Sequence, residues 1–280
     1  MAEHRVITVT VQDDGPPSRQ VPLFLTKLRR KFFNWTFVRR CCSLILFLIA
    51  WSIVVRIFDY FHQIPAPWDV FMALFKLKPA VVLMEVFRSF YRVLAGFSLG
   101  ILIGFPVGVA IGYSRVANQL LFPAVEMVRP IPPIAWIPLT VLFFVNAESQ
   151  IIFLTFYGSF FPIVYNTMGG ISEVDIRLPR AAMSFGVDKR GMLWKIILPA
   201  AMPQIFTGMK VAIGITWLMV VAAEMIASKG GLGYWVWHNH TVMNYPMVLL
   251  GMGIIGFSGA MCSVAIDLVG DHFMKWRRIF

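Results

Sequence analysis

The chain has 280 residues, of which 58% are hydrophobic and only 14% charged, with a formal net charge of +11. Soluble domains run at about 45–50% apolar and about a quarter charged, so this composition excludes an ordinary soluble enzyme and points to an integral membrane protein. The three cysteines, Cys41, Cys42 and Cys262, are too few for a disulfide framework and read as apolar packing residues.

Residues 1–22 are polar, with "DDGPPS" at 13–18, and read as a flexible tail. Residues 23–40 ("LFLTKLRRKFFNWTFVRR") set Leu25, Leu28, Phe32 and Trp35 at near-helical spacing, with Lys27, Arg30, Lys31 and Asn34 facing away. That pattern predicts a basic amphipathic helix lying on the membrane surface, either an elbow anchoring the first span or a lipid sensor. The basic region is too long for a signal peptide, and no small-residue cleavage site follows, so the first span reads as a retained anchor.

A spanning helix needs about 20 mostly apolar residues. Hydropathy predicts six, at about 42–61, 89–112, 120–145, 150–169, 203–227 and 247–270. The expected fold class is therefore an all-α, six-span membrane protein. With the N-terminus inside, the inner segments hold 17 Lys/Arg: eight before the first span, Arg115, five between 170 and 202, and three after 270. The outer loops hold Lys76, Lys78 and Lys229. That asymmetry follows the positive-inside rule, so the basic charge reports topology and not a nucleic-acid partner.

In the second span Gly96, Gly100, Gly104, Gly108 and Gly112 recur at every fourth residue, with Pro106 inside the same helix. The stripe is a seam for close helix packing or the wall of a moving pathway. The third span carries "RPIPPIAWIP", Arg129 to Pro138. Pro130, Pro132, Pro133 and Pro138 cannot all lie in one unbroken helix. A broken element beside Arg129 and Trp136 is either a gate lining a pathway or an interfacial entry segment before a shorter helix.

Ionisable residues in or near the spans are Arg56, Asp59, Arg88, Arg92, Glu126, Arg129, Lys210, Glu224 and Asp267. Charge in lipid is costly, and most of these lie near span ends where snorkelling relieves the cost. Glu224 lies about one turn inside the outer end of the fifth span, where it pairs across the bundle or lines the solute route. Arg92 and Arg129 either line a pathway or sit at the interface. In the outer segment 228–245, Tyr234, Trp235 and Trp237 suit an interface belt, and His238 and His240 lack the companions a metal site needs. Gly251, Gly253 and Gly256 spell G-x-G-x-x-G, but inside an apolar run with no strand before it, so the reading is helix packing. No G-x-x-x-x-G-K-[ST] occurs, and no nucleophile–base pair is apparent, so neither phosphate binding nor catalysis is expected of this chain.

"RAAMSFGVDKRGMLWKIILP", Arg180 to Pro199, interrupts this apolar chain. Pro179 suits a helix's first turn, Gly186 can end the helix with φ > 0, and Asp188 is an N-cap for a second short helix closed by Leu198-Pro199. The reading is a helix–turn–helix whose alanines form a small-residue face for a partner's groove.

This stretch resembles the cytoplasmic pattern of ABC importer permeases: E-A-A, three residues, G, nine residues, I-x-L-P. Ala181-Ala182, Gly186 and Ile196-Ile197-Leu198-Pro199 match in spacing, and Arg180 departs from the usual Glu. "SFYRVLAGFSLGILIGFPVGVAIG" (89–112), "VRPIPPIAWIPL" (128–139), "NTMGGI" (166–171) and "VVAAEMIASKGGLGYWVW" (220–237) resemble the nitrate/sulfonate/taurine branch, which includes bicarbonate and cyanate importers. "FFVNAES" (143–149) departs from the F-G-x-G-E pattern usual there. The resemblance covers about residues 85–280.

It implies a MetI-like type I importer fold over 41–280, with a cytoplasmic coupling loop at 172–202. Arg180, Ala181, Ala182, Gly186, Asp188, Ile196, Leu198 and Pro199 would then engage an ATPase. The implied assembly is a homodimer of permeases in a bacterial inner membrane, both termini cytoplasmic. Two ATPases would hold ATP and Mg, and a periplasmic or lipid-anchored binding protein would deliver a small anion, which Arg92 and Arg129 would attract. This chain would bind no cofactor itself. Two rivals are a secondary transporter, which would need inverted repeats and an intramembrane ion site, and a membrane scaffold for a soluble partner.

Overall fold

The computed structural model describes residues 35–57, 64–227 and 230–274, and every regular element in them is helical. Contacts divide the chain at residue 59 into two units. The first contributes one described helix, α1 (Trp35–Ile57), apolar from Ile45 onward. The expected tail at 1–22 and most of the expected surface helix at 23–40 lie outside the described residues; Trp35–Arg40 are the first residues of α1.

The second unit opens with α2 (Pro67–Lys76), where Asp69 accepts the Ala66 N–H at 3.0 Å and so caps the helix. α3 (Pro79–Tyr113) also starts on proline, where a missing N–H costs nothing. Ser114 ends α3 and caps α4 (Arg115–Val128), accepting from the Ala117 N–H at 3.4 Å. A 3₁₀ turn (Pro133–Trp136) and α5 (Ile137–Phe143) follow, then α6 (Ala147–Ser172) and α7 (Arg177–Ser184). Lys189–Gly191 makes one helical turn, Met192–Ile197 a π-helical turn, and α8 runs over Leu198–Ala227. α9 (Leu232–Thr241) and α10 (Tyr245–Phe273) complete the unit.

Among the described residues, four helical stretches are long and apolar enough to cross a membrane: 79–113, 147–172, 192–227 and 245–273. The expected span at 120–145 is broken, α4 meeting the stretch Pro133–Phe143 at 84°. The prolines explain the break. Pro130, Pro132 and Pro133 lack the N–H groups an unbroken helix needs, and Pro132, which precedes Pro133, is extended at φ −57 and ψ 133. The second span begins at Pro79, ten residues earlier than hydropathy places it, because Glu85 and Arg88 depress the local average yet pair with each other at 3.2 Å. Leu198-Pro199 does not close a helix either. The π turn before Pro199 widens the backbone where its ring would strike the preceding turn, and the helix continues through both Pro199 and Pro203.

α6 is the central helix, flanked by α3 and α8, with α10 and α9 against α8. The glycine stripe lies on the α3–α6 seam. A Cβ on Gly96 would stand 1.9 Å from Thr155 Oγ1, on Gly100 2.1 Å from Ser159 Oγ, on Gly104 3.1 Å from the Phe160 carbonyl, on Gly108 2.7 Å from Thr167 Cβ and on Gly112 3.0 Å from Ile171 Cβ. Without side chains on α3, the small Thr155, Ser159 and Thr167 of α6 fill the gap. Of the G-x-G-x-x-G glycines, Gly251 packs against Val236 and Trp235, while Gly253 and Gly256 meet none of the described residues of this chain within 4 Å.

Candidate functional site

α6 has 26 residues and is about 39 Å long at 1.5 Å per residue. Polar or semi-polar features stand at its two ends and along one flank.

At its C-terminal end lies the 177–199 segment. α7 ends in a Schellman motif: the Gly186 N–H donates to Met183 O at 3.0 Å and the Val187 N–H to Ala182 O at 3.1 Å. Gly186 sits at φ +76, the left-handed conformation this motif requires. Asp188 then accepts the Gly191 N–H at 3.1 Å, capping the next turn. Ala182 and Leu198 are buried in their own chain with Ile171, Met192, Ile197, Ala201 and Ile205; Ile196 is packed against this group. The alanine pair is therefore divided, Ala182 inward and Ala181 outward. Arg180, Gly186 and Asp188 are exposed and Pro199 half-buried. In the same segment Met183, Phe185 and Trp194 are exposed by 61%, 87% and 63%. Sequence reading passed over this apolar crest because Met183, Phe185 and Trp194 look like ordinary helix content in so greasy a chain.

At the other end is a buried ion-pair cluster. Glu224 of α8 is fully enclosed. Its carboxylate accepts the Arg92 Nη1–H at 2.7 Å, the Ser89 hydroxyl at 2.8 Å and the Gly233 N–H at 2.8 Å. Arg92 Nη1 also donates to the Gly230 carbonyl at 2.7 Å, and its Nε to Glu148 at 2.8 Å, with Nη2 on the other Glu148 oxygen. The Leu232 N–H donates to Ser89 Oγ at 2.8 Å, and the Gly231 N–H to Glu85. Gly231 takes φ +108 and packs directly on the Glu224 carboxylate, where any Cβ would lie 2.2 Å from Cδ. The cluster thus clasps α3, α6, α8 and the start of α9 together. Sequence reading had singled out Arg92 and Glu224; the structure joins them and adds Glu85, Ser89, Glu148 and the glycines at 230–233. Glu148 carried a signal, an acid in the first turn of an apolar helix.

Along the flank, Arg129 stands at the mouth of a groove of about 480 Å³ between α6 and α8, walled by Pro133, Tyr157, Tyr165, Val211 and Leu218. Arg129 lies 4.1 Å over the Tyr165 ring and 3.9 Å from Glu126, and the Tyr165 hydroxyl donates to Glu126. The Tyr157 hydroxyl donates to Val128 O at 3.0 Å, so the proline break is tied to α6. Trp136 is half-buried, its ring 5.2 Å from that of Tyr157. Pro130 and Pro132 are exposed. Arg129, Pro130, Pro132 and Trp136 thus share one bend, apart from the Arg92–Glu224 cluster. No group of three or more His, Cys, Asp or Glu placed to hold a metal occurs among the described residues.

A profile for the binding-protein-dependent transport system inner membrane component matches residues 96–279. The chain belongs to this family, the permeases of ABC importers. The match takes in the seam, the groove, the 177–199 segment and Glu224 of the clasp. Among relatives of this permease, the aliphatic sulfonates transport permease SsuC of Escherichia coli is 35% identical over 76% of this chain and 81% of its own. The bicarbonate transport system permease CmpB of Synechococcus elongatus is 33% identical over 69% of this chain and 66% of its own. The fold is similar to that in an inward-facing structure of the MetNI methionine ABC transporter, with TM-score 0.55 and 21% identity over 68% of this permease and 99% of that chain. The permease is accordingly a transport component of an inner membrane, not itself a catalyst.

Proposed function

We propose that this permease forms half of the route for a small anion and couples it to a partner ATPase through residues 172–202. The observation that carries the coupling assignment is the apolar crest of Met183, Phe185 and Trp194. An exposed Phe beside a capped polar turn has no use in water, and large apolar side chains left exposed in a segment that also carries Arg180, Asp188 and Arg190 mark a protein contact. In this reading Arg180, Ala181, Gly186 and Asp188 surround the crest and meet the ATPase, while Ala182, Ile196, Leu198 and Pro199 hold it on the base of α8. ATP and Mg belong to that partner. The distribution of Lys and Arg supports a cytoplasmic location for this segment and both termini, with the Arg92–Glu224 clasp on the outer side facing the binding protein. The sulfonate and bicarbonate relatives, together with Arg129 in the groove, support an anionic solute. A second copy of this chain completes the route.

The test is Phe185→Asp in the full-length permease, co-expressed with its partner ATPase and binding protein. Membrane insertion and melting temperature stay as in the parent, because Phe185 packs on little of its own chain. ATPase co-purification and ATP-dependent uptake fall by at least about tenfold, the cost of a charge placed at a desolvated contact. Undiminished co-purification would place the ATPase contact elsewhere.

A further inference from the structure

Among the described residues, Arg129 is the one charged side chain lining the groove. It is not left free to attract a solute. Glu126, one turn earlier on α4, receives the Tyr165 hydroxyl and faces the guanidinium at 3.9 Å, while the Tyr165 ring lies beneath Arg129. Arg129 and Glu126 are both about half exposed, at 52% and 50% of their side chains. The guanidinium can only donate, and the phenol already donates its one hydrogen to a carboxylate. Together they form a receptor for an oxyanion, and here that oxyanion belongs to the chain.

We infer that Glu126 is an internal counter-anion, occupying the site through which the transported anion passes and yielding it on arrival. This rests on the reading of the groove as part of the solute route. The ligand class follows from what Glu126 shows the site can hold: a small, singly charged oxyanion such as a sulfonate, a carboxylate, bicarbonate or nitrate. One guanidinium offsets one negative charge. One hydroxyl and the guanidinium N–H groups suit planar or tetrahedral oxygens. The looseness of the pair is part of the device. A bare arginine on the low-dielectric wall of a route would hold an anion too long, and conduction requires binding weak enough to leave. A half-exposed ion pair at 3.9 Å is easily separated, so Glu126 lowers affinity without blocking the site. Its carboxylate can turn outward to water when a solute oxygen takes the Tyr165 hydroxyl, and return when the solute moves on.

The test uses the full-length permease in nanodiscs, titrated calorimetrically with methanesulfonate and with methylammonium as a cation control. Glu126→Gln removes the internal charge and is expected to bind methanesulfonate about tenfold more tightly, the difference a charged hydrogen-bonding competitor makes. Arg129→Gln and Tyr165→Phe are expected to weaken binding, the first by at least about tenfold. Methylammonium is expected to show no such response. Glu126→Asp, whose shorter arm reaches the hydroxyl less well, falls between parent and Glu126→Gln. Unchanged affinity in Glu126→Gln, or in Arg129→Gln, overturns the inference. The assembled transporter in proteoliposomes separates this from the wider reading. ATP-driven methanesulfonate uptake with a KM indifferent to Glu126→Gln refutes the counter-anion alone. Tighter binding in Glu126→Gln without ATP-driven uptake of any anion by the parent supports an anion site that Glu126 occupies and removes the reading of the groove as an anion-import route.

Discussion

Glu224 and Arg92 are almost wholly removed from solvent, at 0% and 3% exposure; four of the five guanidinium N–H groups donate, and the carboxylate accepts from Arg92, Ser89 and Gly233. A buried pair of this kind adds little net stability over apolar residues of the same volume, but losing one partner strands a charge at about 3–5 kcal/mol. Arg92→Met is therefore expected to lower the melting temperature of the detergent-solubilised permease sharply. Arg92→Met combined with Glu224→Leu should recover most of the loss. Glu148 needs no second change, since it is 57% exposed and can return to water. A double variant no better than Arg92→Met would show that the clasp acts through its neutral hydrogen bonds and not through charge. Gly186 poses a different question. A Cβ there meets nothing within 4 Å, so only its φ of +76 resists substitution. Gly186→Val, β-branched in a left-handed well, should cost at least about 1–2 kcal/mol of local order and misdirect Phe185, while Gly186→Asn should pass. ATPase co-purification reads the difference: loss in both variants would mean that bulk, not backbone, is excluded by the partner.

At the scale of elements the four-residue glycine period was legible before any coordinates, because a repeat of four draws one stripe on a helix. Its counterpart was not, since Thr155, Ser159 and Thr167 on α6 carry no pattern that names a partner helix. The proline break was legible for the same local reason as the glycines: a missing N–H acts on its own turn. The clasp was half legible. Arg92 and Glu224 stood out as charges in apolar runs, but their pairing across 132 positions depends on how α3 and α8 pack. The π turn was misread as a helix end because Leu-Pro usually ends a helix, and the backbone adjustment that lets α8 continue leaves no mark in composition. The seam itself makes a discriminating prediction. A methyl on Gly100 would collide with side-chain atoms alone, Ser159 Oγ at 2.1 Å and Cβ at 2.9 Å. A methyl on Gly96 would also meet the Phe156 backbone nitrogen at 2.8 Å. Gly100→Ala and Gly96→Ala should each destabilise by about 1–3 kcal/mol through overpacking. Ser159→Gly should rescue the first, whereas Thr155→Gly should leave the second impaired, because backbone cannot be trimmed. Thermal melts of the four variants decide this, and equal rescue at both sites would mean the helices separate freely along the seam.

For the molecule as a transporter, the decisive connection is that α8 joins the two ends of α6. From Met192 to Ala227 the chain forms one helical stretch of 36 residues, with the apolar crest at its base and Glu224 held in the clasp near its far end. A partner pulling on the base can displace the clasp, or the groove wall at Val211, Ile215 and Leu218, only if the helix between them transmits force. Gly214 lies in this stretch, exposed, and a Cβ there meets no atom of this chain within 4 Å. Gly214→Ala should therefore be tolerated and favour the helix by about 0.5–1 kcal/mol, with uptake kept. Gly214→Pro adds scarcely more bulk, but it removes one intrahelical hydrogen bond and drives its ring against the carbonyl of Lys210, kinking the helix at a cost of about 3 kcal/mol. Because the crest and the Schellman turn lie far below position 214, the ATPase should still bind Gly214→Pro and hydrolyse ATP. Uptake should fall out of step with hydrolysis, since motion at the base would be absorbed at the kink. The ratio of solute taken up to ATP hydrolysed, measured in proteoliposomes for both variants, is the deciding quantity. A parental ratio in Gly214→Pro would show that α8 is not the lever and that force reaches the groove through α6 or α3 instead.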